Sequence, residues 1–222
     1  MERCKVLMVF LLMLTLGCQK KEVMLPTLGI TGIQDTIYDN SKIWIFFEVE
    51  GSDTIAKLNK NNSIANTHWI FNIDKRLSLK HVIPKIQQLQ VKKAKPSMHD
   101  NGKLMHSYYS YLDTAAQKLS FVLFDSVKYI KDNPLKLEQI SKDSIFDHLI
   151  LDYNKKGVFI AGQKIEMDNL KSQLEKNLNT SKLKIHLSFD KELSYQNYIH
   201  LKALLFHLEN DSIIIAKEEY IK

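Results

Sequence analysis

The sequence predicts an α+β protein built from two small modules, each a β-sheet with helices packed on one face. Short apolar runs that alternate with polar residues predict the strands, and apolar stripes with helical spacing predict the helices between them. An Asp-Lys-x-Leu-Ser segment that occurs twice predicts two related modules. These modules span 35–124 and 147–222, with a connection over 125–146.

The C-terminal module begins with a predicted hairpin. Apolar runs at 148–153 and 157–162 are separated by a break at Lys155-Lys156-Gly157, whose glycine also begins the second run. Asp168 is the predicted N-cap of a short helix that follows the hairpin. The apolar stripe of that helix consists of Leu170, Leu174 and Leu178.

The rest of this module is predicted as strand, helix and strand, which gives the order ββαβαβ. The run 183–189 alternates apolar and polar residues, so one face is predicted to be buried and the other wet. Asp190 turns the chain, and Ser194 caps the next helix. The apolar face of that helix consists of Tyr198, Leu201, Leu204 or Leu205, and Leu208. A last, fully buried strand is predicted at 212–216.

The segment 157–174, GVFIAGQKIEMDNLKSQL, resembles the periplasmic domain of the ExbD/TolR biopolymer-transport family. The matching positions are Gly162, Lys164, Ile165, Asp168 and Leu170, followed by Phe189, Asp190, Lys191, Leu193 and Tyr195. The resemblance covers about a third of the chain, and its short motifs describe a fold rather than a chemistry. It implies a place in an energy-coupled transport complex, with ExbB-, ExbD- or TonB-like partners.

One departure from that family limits what the resemblance implies. Family members carry an N-terminal transmembrane helix with a membrane-embedded aspartate that takes part in proton-driven work. Here the N-terminal apolar run, Val6 to Leu16, is too short to cross a bilayer as a helix and contains no aspartate. Proton coupling is therefore not implied for this chain.

The N-terminus is predicted to be an export signal followed by a lipid anchor. Residues 1–17 have a basic start and an apolar run that ends in Gly17-Cys18, which resembles a bacterial lipobox. We expect lipidation of Cys18; the alternative is an ordinary secretory signal in which this cysteine is incidental. Gln19, rather than aspartate, favours the outer membrane of the bacterial envelope, and 18–34 is the predicted tether.

The N-terminal module is predicted to be a diverged copy of the C-terminal one. Strands are expected at 42–50, 53–58 and 68–73, and the last leads into Asp-Lys-Arg-Leu-Ser at 74–78. The second copy, Asp-Lys-Glu-Leu-Ser, lies at 190–194, an offset of 116 (190 − 74).

The first copy lacks the short helix, and Pro84 is expected to kink or delay its own helix. A long insertion at 92–112 precedes a closing strand at 118–124, and a short helix is expected near 135–140.

Five residues are candidate interaction sites: Asp74, Asp190, Tyr195, Tyr108 and Tyr111. The two aspartates could form a paired site across the modules, although turn formation alone accounts for an aspartate at a strand-to-helix junction. Tyr108 and Tyr111 have the spacing of one helical face within the insertion. With Tyr109, Trp44 and Trp69 they could build an aromatic binding face, and the alternative is ordinary burial in a core.

Composition excludes several classes of function. The histidines lack metal-ligand spacing with carboxylates, so no metal or cofactor is predicted. The net charge of +6 comes from scattered lysines without an aromatic-interleaved basic patch, which argues against nucleic acid. The charge suits an anionic membrane surface or a cell-wall polymer instead. None of the common catalytic motifs is present, so no enzymatic activity is predicted.

Two functions are compatible with these observations. The first is a non-enzymatic envelope lipoprotein, an interaction component of an energy-coupled transport or envelope-integrity complex. Its modules would form a homodimer or dock a partner through an exposed strand edge. The alternative is a lipid-anchored binding protein for a polymer or small ligand, which would use the insertion and the cleft between the modules.

Overall fold

The computed structural model describes residues 22–59, 62–95, 103–133, 135, 138, 140, 145–176 and 182–222. It contains two six-stranded sheets and three α-helices, which confirms the predicted α+β class. Cys18 and Leu178 lie outside the described residues, as does most of the helix predicted near 135–140.

The N-terminal sheet surrounds the first Asp-Lys-x-Leu-Ser segment. Its strands are β1 (Thr27–Leu28), β2 (Asn40–Glu50), β3 (Asp53–Leu58), β4 (His68–Ile73), β5 (Ser107–Asp113) and β6 (Lys118–Leu123). They lie in the order β1-β5-β4-β2-β3, and β6 pairs with β5. Helix α1 (Leu79–Lys93) connects β4 to β5 and begins before Pro84, so the proline does not delay it.

The C-terminal sheet has the order β10-β9-β8-β11-β12-β7. Its strands are β7 (Lys128–Lys131), β8 (Phe146–Asn154), β9 (Gly157–Ile160), β10 (Gln163–Ile165), β11 (Lys182–Phe189) and β12 (Ile213–Ile221). A 3-10 turn (Met167–Asn169) leads into α2 (Leu170–Lys176), and α3 (Tyr195–Leu208) connects β11 to β12. The predicted ββαβαβ order is therefore present, with β10 added after the hairpin.

Local sequence accounts for both C-terminal helices. Ser194 caps α3, because its hydroxyl accepts the N–H of Asn197 at 3.3 Å. The predicted cap at Asp168 is wrong, because the chain already turns at Glu166, and Asp168 lies inside the 3-10 turn. Leu170 and Leu174 are buried as predicted.

The prediction of a wet face on β11 is wrong, since His186 and Ser188 are buried. Strand β11 lies between β8 and β12, so its side chains on this face are flanked by a strand on either side. The ring of His186 stacks on that of His148 with centroids 5.2 Å apart. The last strand, β12, continues to Ile221, beyond the predicted end at 216, and several of its side chains are only half-buried rather than fully buried.

Three segments predicted outside the sheets contribute strands. Residues 107–112, predicted as part of an insertion, belong to β5, where Tyr109 and Tyr111 fill the core with a period of two. The predicted connection contributes β7, which pairs with β12. The predicted tether contributes β1, which pairs with β5, and a bridge between Ile33 and Phe121.

The two modules have the same topology. In each, a hairpin is followed by a parallel strand, a helix and a second parallel strand, giving the orders β3-β2-β4-β5 and β9-β8-β11-β12. The strand equivalent to β12 is thus β5, not the predicted closing strand at 118–124, which forms β6 as an antiparallel neighbour.

The repeated segments pair directly with each other. Ser78 and Ser194 form an antiparallel bridge. Leu79 N–H donates to the Leu193 carbonyl at 2.9 Å, and Tyr195 N–H donates to the Leu77 carbonyl at 2.7 Å. The repeat relates residues 116 positions apart, and 195 − 79 and 193 − 77 both equal 116. Replacing each residue by its equivalent in the other copy therefore turns one of these bonds into the other. The modules therefore meet about a local pseudo-twofold axis.

A single core extends through both modules. At its centre a hydrogen-bond chain runs from Tyr109 through Tyr129 and Tyr198 to Glu219. The ammonium of Lys202 donates to Glu219 at 2.6 Å. Both charged groups are buried, so this ion pair lies in the interior of the protein.

Candidate functional site

The two predicted aspartates each build their own turn. Asp74 accepts the Arg76 N–H at 3.0 Å, and Asp190 accepts the Glu192 N–H at 2.8 Å. In each copy the N–H three residues after the aspartate, of Leu77 or Leu193, donates to the aspartate carbonyl and completes the turn. Turn formation therefore accounts for the recurrence of aspartate, since each carboxylate is engaged within its own segment.

Asp74 has a second role, because it holds the incoming N-terminal segment. Its carboxylate is fully buried, receives two bonds from the Arg76 guanidinium at 2.9 and 2.7 Å, and accepts the Met24 N–H at 3.1 Å. Burial raises the pKa of this carboxyl, but the bonds from Arg76 and Met24 together outweigh it and leave the pKa below its usual range. In the other copy, Gln196 exchanges two hydrogen bonds with the backbone of Thr27.

The predicted tyrosines do not form one aromatic face. Tyr108 and Tyr111 lie on opposite faces of β5, because the segment is a strand rather than a helix. Tyr111, Tyr109, Tyr195 and Trp69 are buried in the core. Tyr108 lies on the outer face of the sheet, and Trp44 packs there on Phe46. The alternative of core burial thus describes most of these aromatic residues.

The structure brings together residues that the sequence did not single out as a site. A cleft with a cavity volume of about 1040 Å³ opens where α1 ends, β5 and β7 begin, and β12 passes. We call it the basic cleft, defined by five lysines, Lys93, Lys95, Lys103, Lys128 and Lys217. Asp125 is the one acidic side chain among the described residues that line it, so the lining carries a formal charge of +4 (5 − 1).

Lys93 forms the inner corner of the basic cleft. Its ammonium donates to the Ser107 hydroxyl at 2.8 Å and lies 5.4 Å from the centre of the Trp69 ring. Burial lowers the pKa of this lysine to about 8, with Asp125 opposing the shift. Lys93 is therefore cationic at neutral pH but loses its proton more easily than an exposed lysine.

Asp125 organises the floor next to Lys93. It accepts the Ser107 N–H and a bond from His106. The ring of His106 stacks on His68 with centroids 5.6 Å apart, and burial, assisted by the nearby His106, lowers the pKa of His68. Asp125 is thus bonded to neighbouring groups, and the positive charge of the five lysines predominates in the lining.

The arrangement can bind anions. Lysine ammoniums attract carboxylate or phosphate groups, and a concave site strengthens that attraction by focusing the field. Val91 and Leu104 lie beside the lysines and expose 63% and 78% of their surface, which adds apolar contact area. Lys92, Lys93 and Lys95 are close together in the sequence, but no sequence pattern could place Lys128 and Lys217 beside them, since these come from distant strands.

The part of the chain that the structure describes holds no group of three or more histidine, cysteine, aspartate or glutamate side chains arranged to bind a metal. None of its helices has the length and apolarity required to cross a membrane.

Comparison with known protein families, with curated proteins and with solved structures found no match. The resemblance to the ExbD/TolR family therefore stays a prediction from the residues named above.

Proposed function

We propose that this protein is a non-enzymatic lipoprotein of the bacterial envelope that acts as an interaction component of an energy-coupled transport or envelope-integrity complex. The observation that carries the proposal is the ββαβαβ order of the C-terminal module, which includes the strand, turn, helix, strand and helix that the resemblance implies. The matching residues occupy structural positions there: Leu170, Leu193 and Tyr195 are buried, and Asp190 forms the turn before α3.

Strand β3 offers the proposed docking edge. It ends the N-terminal sheet on the side of β2 and has six residues, whereas the other strands at the ends of the two sheet orders, β1, β7 and β10, have two, four and three. Asn59 N–H donates to the Trp44 carbonyl, so by antiparallel alternation residues 57, 55 and 53 bond to β2. The backbone groups of Thr54 then point away from β2 and are oriented to pair with an added strand.

Affinity capture of the full-length tagged protein from detergent-solubilised membranes tests this function. We expect ExbB-, ExbD- or TonB-like proteins to be recovered, and to be lost with Cys18→Ala if the anchor is required. Thr54→Pro removes one outward N–H without breaking the β2–β3 hydrogen bonds, so it is expected to weaken capture, whereas Thr54→Val is the matched control. Recovery of an outer-membrane channel or a glycan alone would refute the proposal.

A second function is favoured by the basic cleft: a lipid-anchored binding protein for a polymer or small ligand. The cleft lies between α1 and β5 of one module and β12 of the other, with a volume at the upper end of the range for ligand sites. Native mass spectrometry of protein purified from its own envelope tests this function. A mass increment that disappears on denaturation is expected, and its absence at every detergent strength, together with no binding of added polymers, would contradict this function.

A further inference from the structure

We propose that the basic cleft binds an anionic glycan, a polymer with carboxylate or phosphate groups repeated along its length, on the side of the protein that faces away from the anchored membrane. This inference rests on the second proposed function and names its ligand class. It is carried by three observations: where the lysines come from, what else lines the cleft, and where the cleft lies relative to the N-terminal segment.

The lysines are distributed around the cleft rather than gathered at one point. Lys93 ends α1 and Lys95 follows it, Lys103 comes from the segment before β5, Lys128 from β7 and Lys217 from β12. Four separate segments thus each contribute at least one lysine to the lining of the same cleft. A single small anion contacts only the lysines of one corner, whereas repeated charges along a polymer engage several of them at once.

The remaining lining suits a partly apolar chain. Val91, Val127, Leu104 and Met105 contribute aliphatic surface. Asp125 is held by His106 and Ser107, and its single negative charge is outnumbered by the five lysines of the lining. Sugar rings have the alternation of apolar faces and polar edges that such a lining can accommodate.

The position of the cleft separates a glycan from the anchoring membrane. The N-terminal segment is bound at the paired turns, through Met24 to Asp74 and Thr27 to Gln196. Helix α1 begins beside these turns and ends at Lys93 after 15 residues, a length of about 22 Å. The basic cleft therefore lies at the end of the protein opposite to the entry of the tether from Cys18, so the anchoring lipid headgroups do not face it.

Equilibrium binding of the full-length protein, purified in detergent, to a fluorescent polygalacturonate probe tests the inference. The triple variant Lys95→Gln/Lys128→Gln/Lys217→Gln removes three cleft charges that are exposed. The matched control Lys155→Gln/Lys156→Gln/Lys171→Gln removes three exposed charges elsewhere. We expect affinity to fall by about tenfold in the cleft variant and less than about twofold in the control.

Other probes distinguish an anionic polymer from a lipid headgroup as the source of the anionic group. Polyphosphate is expected to compete with polygalacturonate, neutral dextran is not, and phosphatidylglycerol vesicles are expected to bind more weakly than either polymer. Equal losses in the two triple variants, stronger binding to vesicles, or no binding to either polymer would each overturn the inference. Thermal unfolding establishes that both triple variants are folded. Lys217→Glu changes a single residue, and its affinity for polygalacturonate gives a second measurement.

Failure here is distinguishable from failure of the second proposed function. If native mass spectrometry finds a small or uncharged molecule bound to the purified protein and neither polymer binds, the protein is a ligand-binding protein and the glycan inference is wrong. If no bound molecule is found but polygalacturonate binds in the cleft, the inference holds and the site is empty after purification.

Discussion

The two copies of the repeated unit keep the same turn but differ in what surrounds it. Asp74 and Asp190 make the same bond to the N–H two residues onward. Only Asp74 is also held by an arginine and by the N-terminal segment, and it is fully buried. The comparison teaches that the turn chemistry is common to both copies, whereas the added contacts reflect which copy receives the chain from the N-terminus.

The core positions differ more than the turns. Helix position Ile86 of the first copy corresponds to Lys202 of the second (202 − 86 = 116), and strand position Ile70 corresponds to His186 (186 − 70 = 116). Phe71 pairs with Tyr109 in β5, and its equivalent Leu187 pairs with Glu219 in β12. The second copy thus buries ionisable groups where the first buries apolar or aromatic ones.

The largest expected effect comes from breaking the buried ion pair of the second copy. Glu219→Gln leaves the Lys202 ammonium buried without its counter-charge, and we expect the free energy of unfolding to fall by about 3–5 kcal/mol. Urea unfolding measures this change. Lys202→Met/Glu219→Leu makes the site apolar, as in the first copy, and is expected to recover most of the loss. A double variant as unstable as the single one would show that the ion pair itself stabilises the fold.

His186 is expected to make the stability of the second copy depend on acid pH. Burial, assisted by His148 and Lys184 and opposed by Glu218, lowers its pKa to about 4. Below pH 6.5 the unfolded chain takes up a proton that the folded protein does not, so stability is lost as pH falls from 6.5 toward 4. The loss is about 3 kcal/mol, and it is measured by urea unfolding at several pH values.

Ile70, the equivalent of His186 in the first copy, supplies the control substitution for this pH effect. His186→Ile places at this position the residue type found at Ile70, so the slope between pH 6.5 and 4 is expected to become shallower. An unchanged slope would assign the acid sensitivity to other groups.

Replacing each turn aspartate with asparagine compares how much the two carboxylates stabilise the fold. Asp74→Asn keeps the turn acceptor but loses the charge on which the Arg76 guanidinium depends, and we expect a loss of about 2 kcal/mol. Asp190→Asn keeps its single backbone contact and is expected to cost less than about 1 kcal/mol. Thermal unfolding of the two variants measures the difference, and equal losses would mean that the Arg76 and Met24 contacts add no stability.

The smallest expected effect concerns a salt bridge between the copies. Lys80 of α1 contacts Glu192 of the second turn at 2.9 Å. The Lys80 side chain is about two-fifths exposed and that of Glu192 about one-third. Lys80→Ala is expected to cost less than about 1 kcal/mol in urea unfolding, because water and salt screen the pair. A larger loss would indicate that this contact, rather than the paired backbone of the turns, holds the two copies together.

Much of the fold follows from local patterns. The predicted strand at 68–73 coincides with β4, and the cap at Ser194 begins α3, because apolar alternation and capping act over a few residues. Strand β5 was missed because Tyr108 and Tyr111 also fit a helical spacing. The alternation of Tyr109 and Tyr111, with the preference of tyrosine for strands, was the signal that could have identified it.

The sequence by itself determined the α+β class, the repeated turn and the positions of most strands, since these depend on neighbouring residues. Only the tertiary structure decided that the two turns pair, that His186 and Glu219 are buried, and that lysines from four segments share one cleft. The physical reason is that pairing, desolvation and charge clustering depend on which segments meet in space. Lys93 and Lys217 are 124 positions apart in sequence (217 − 93), so no local pattern relates them.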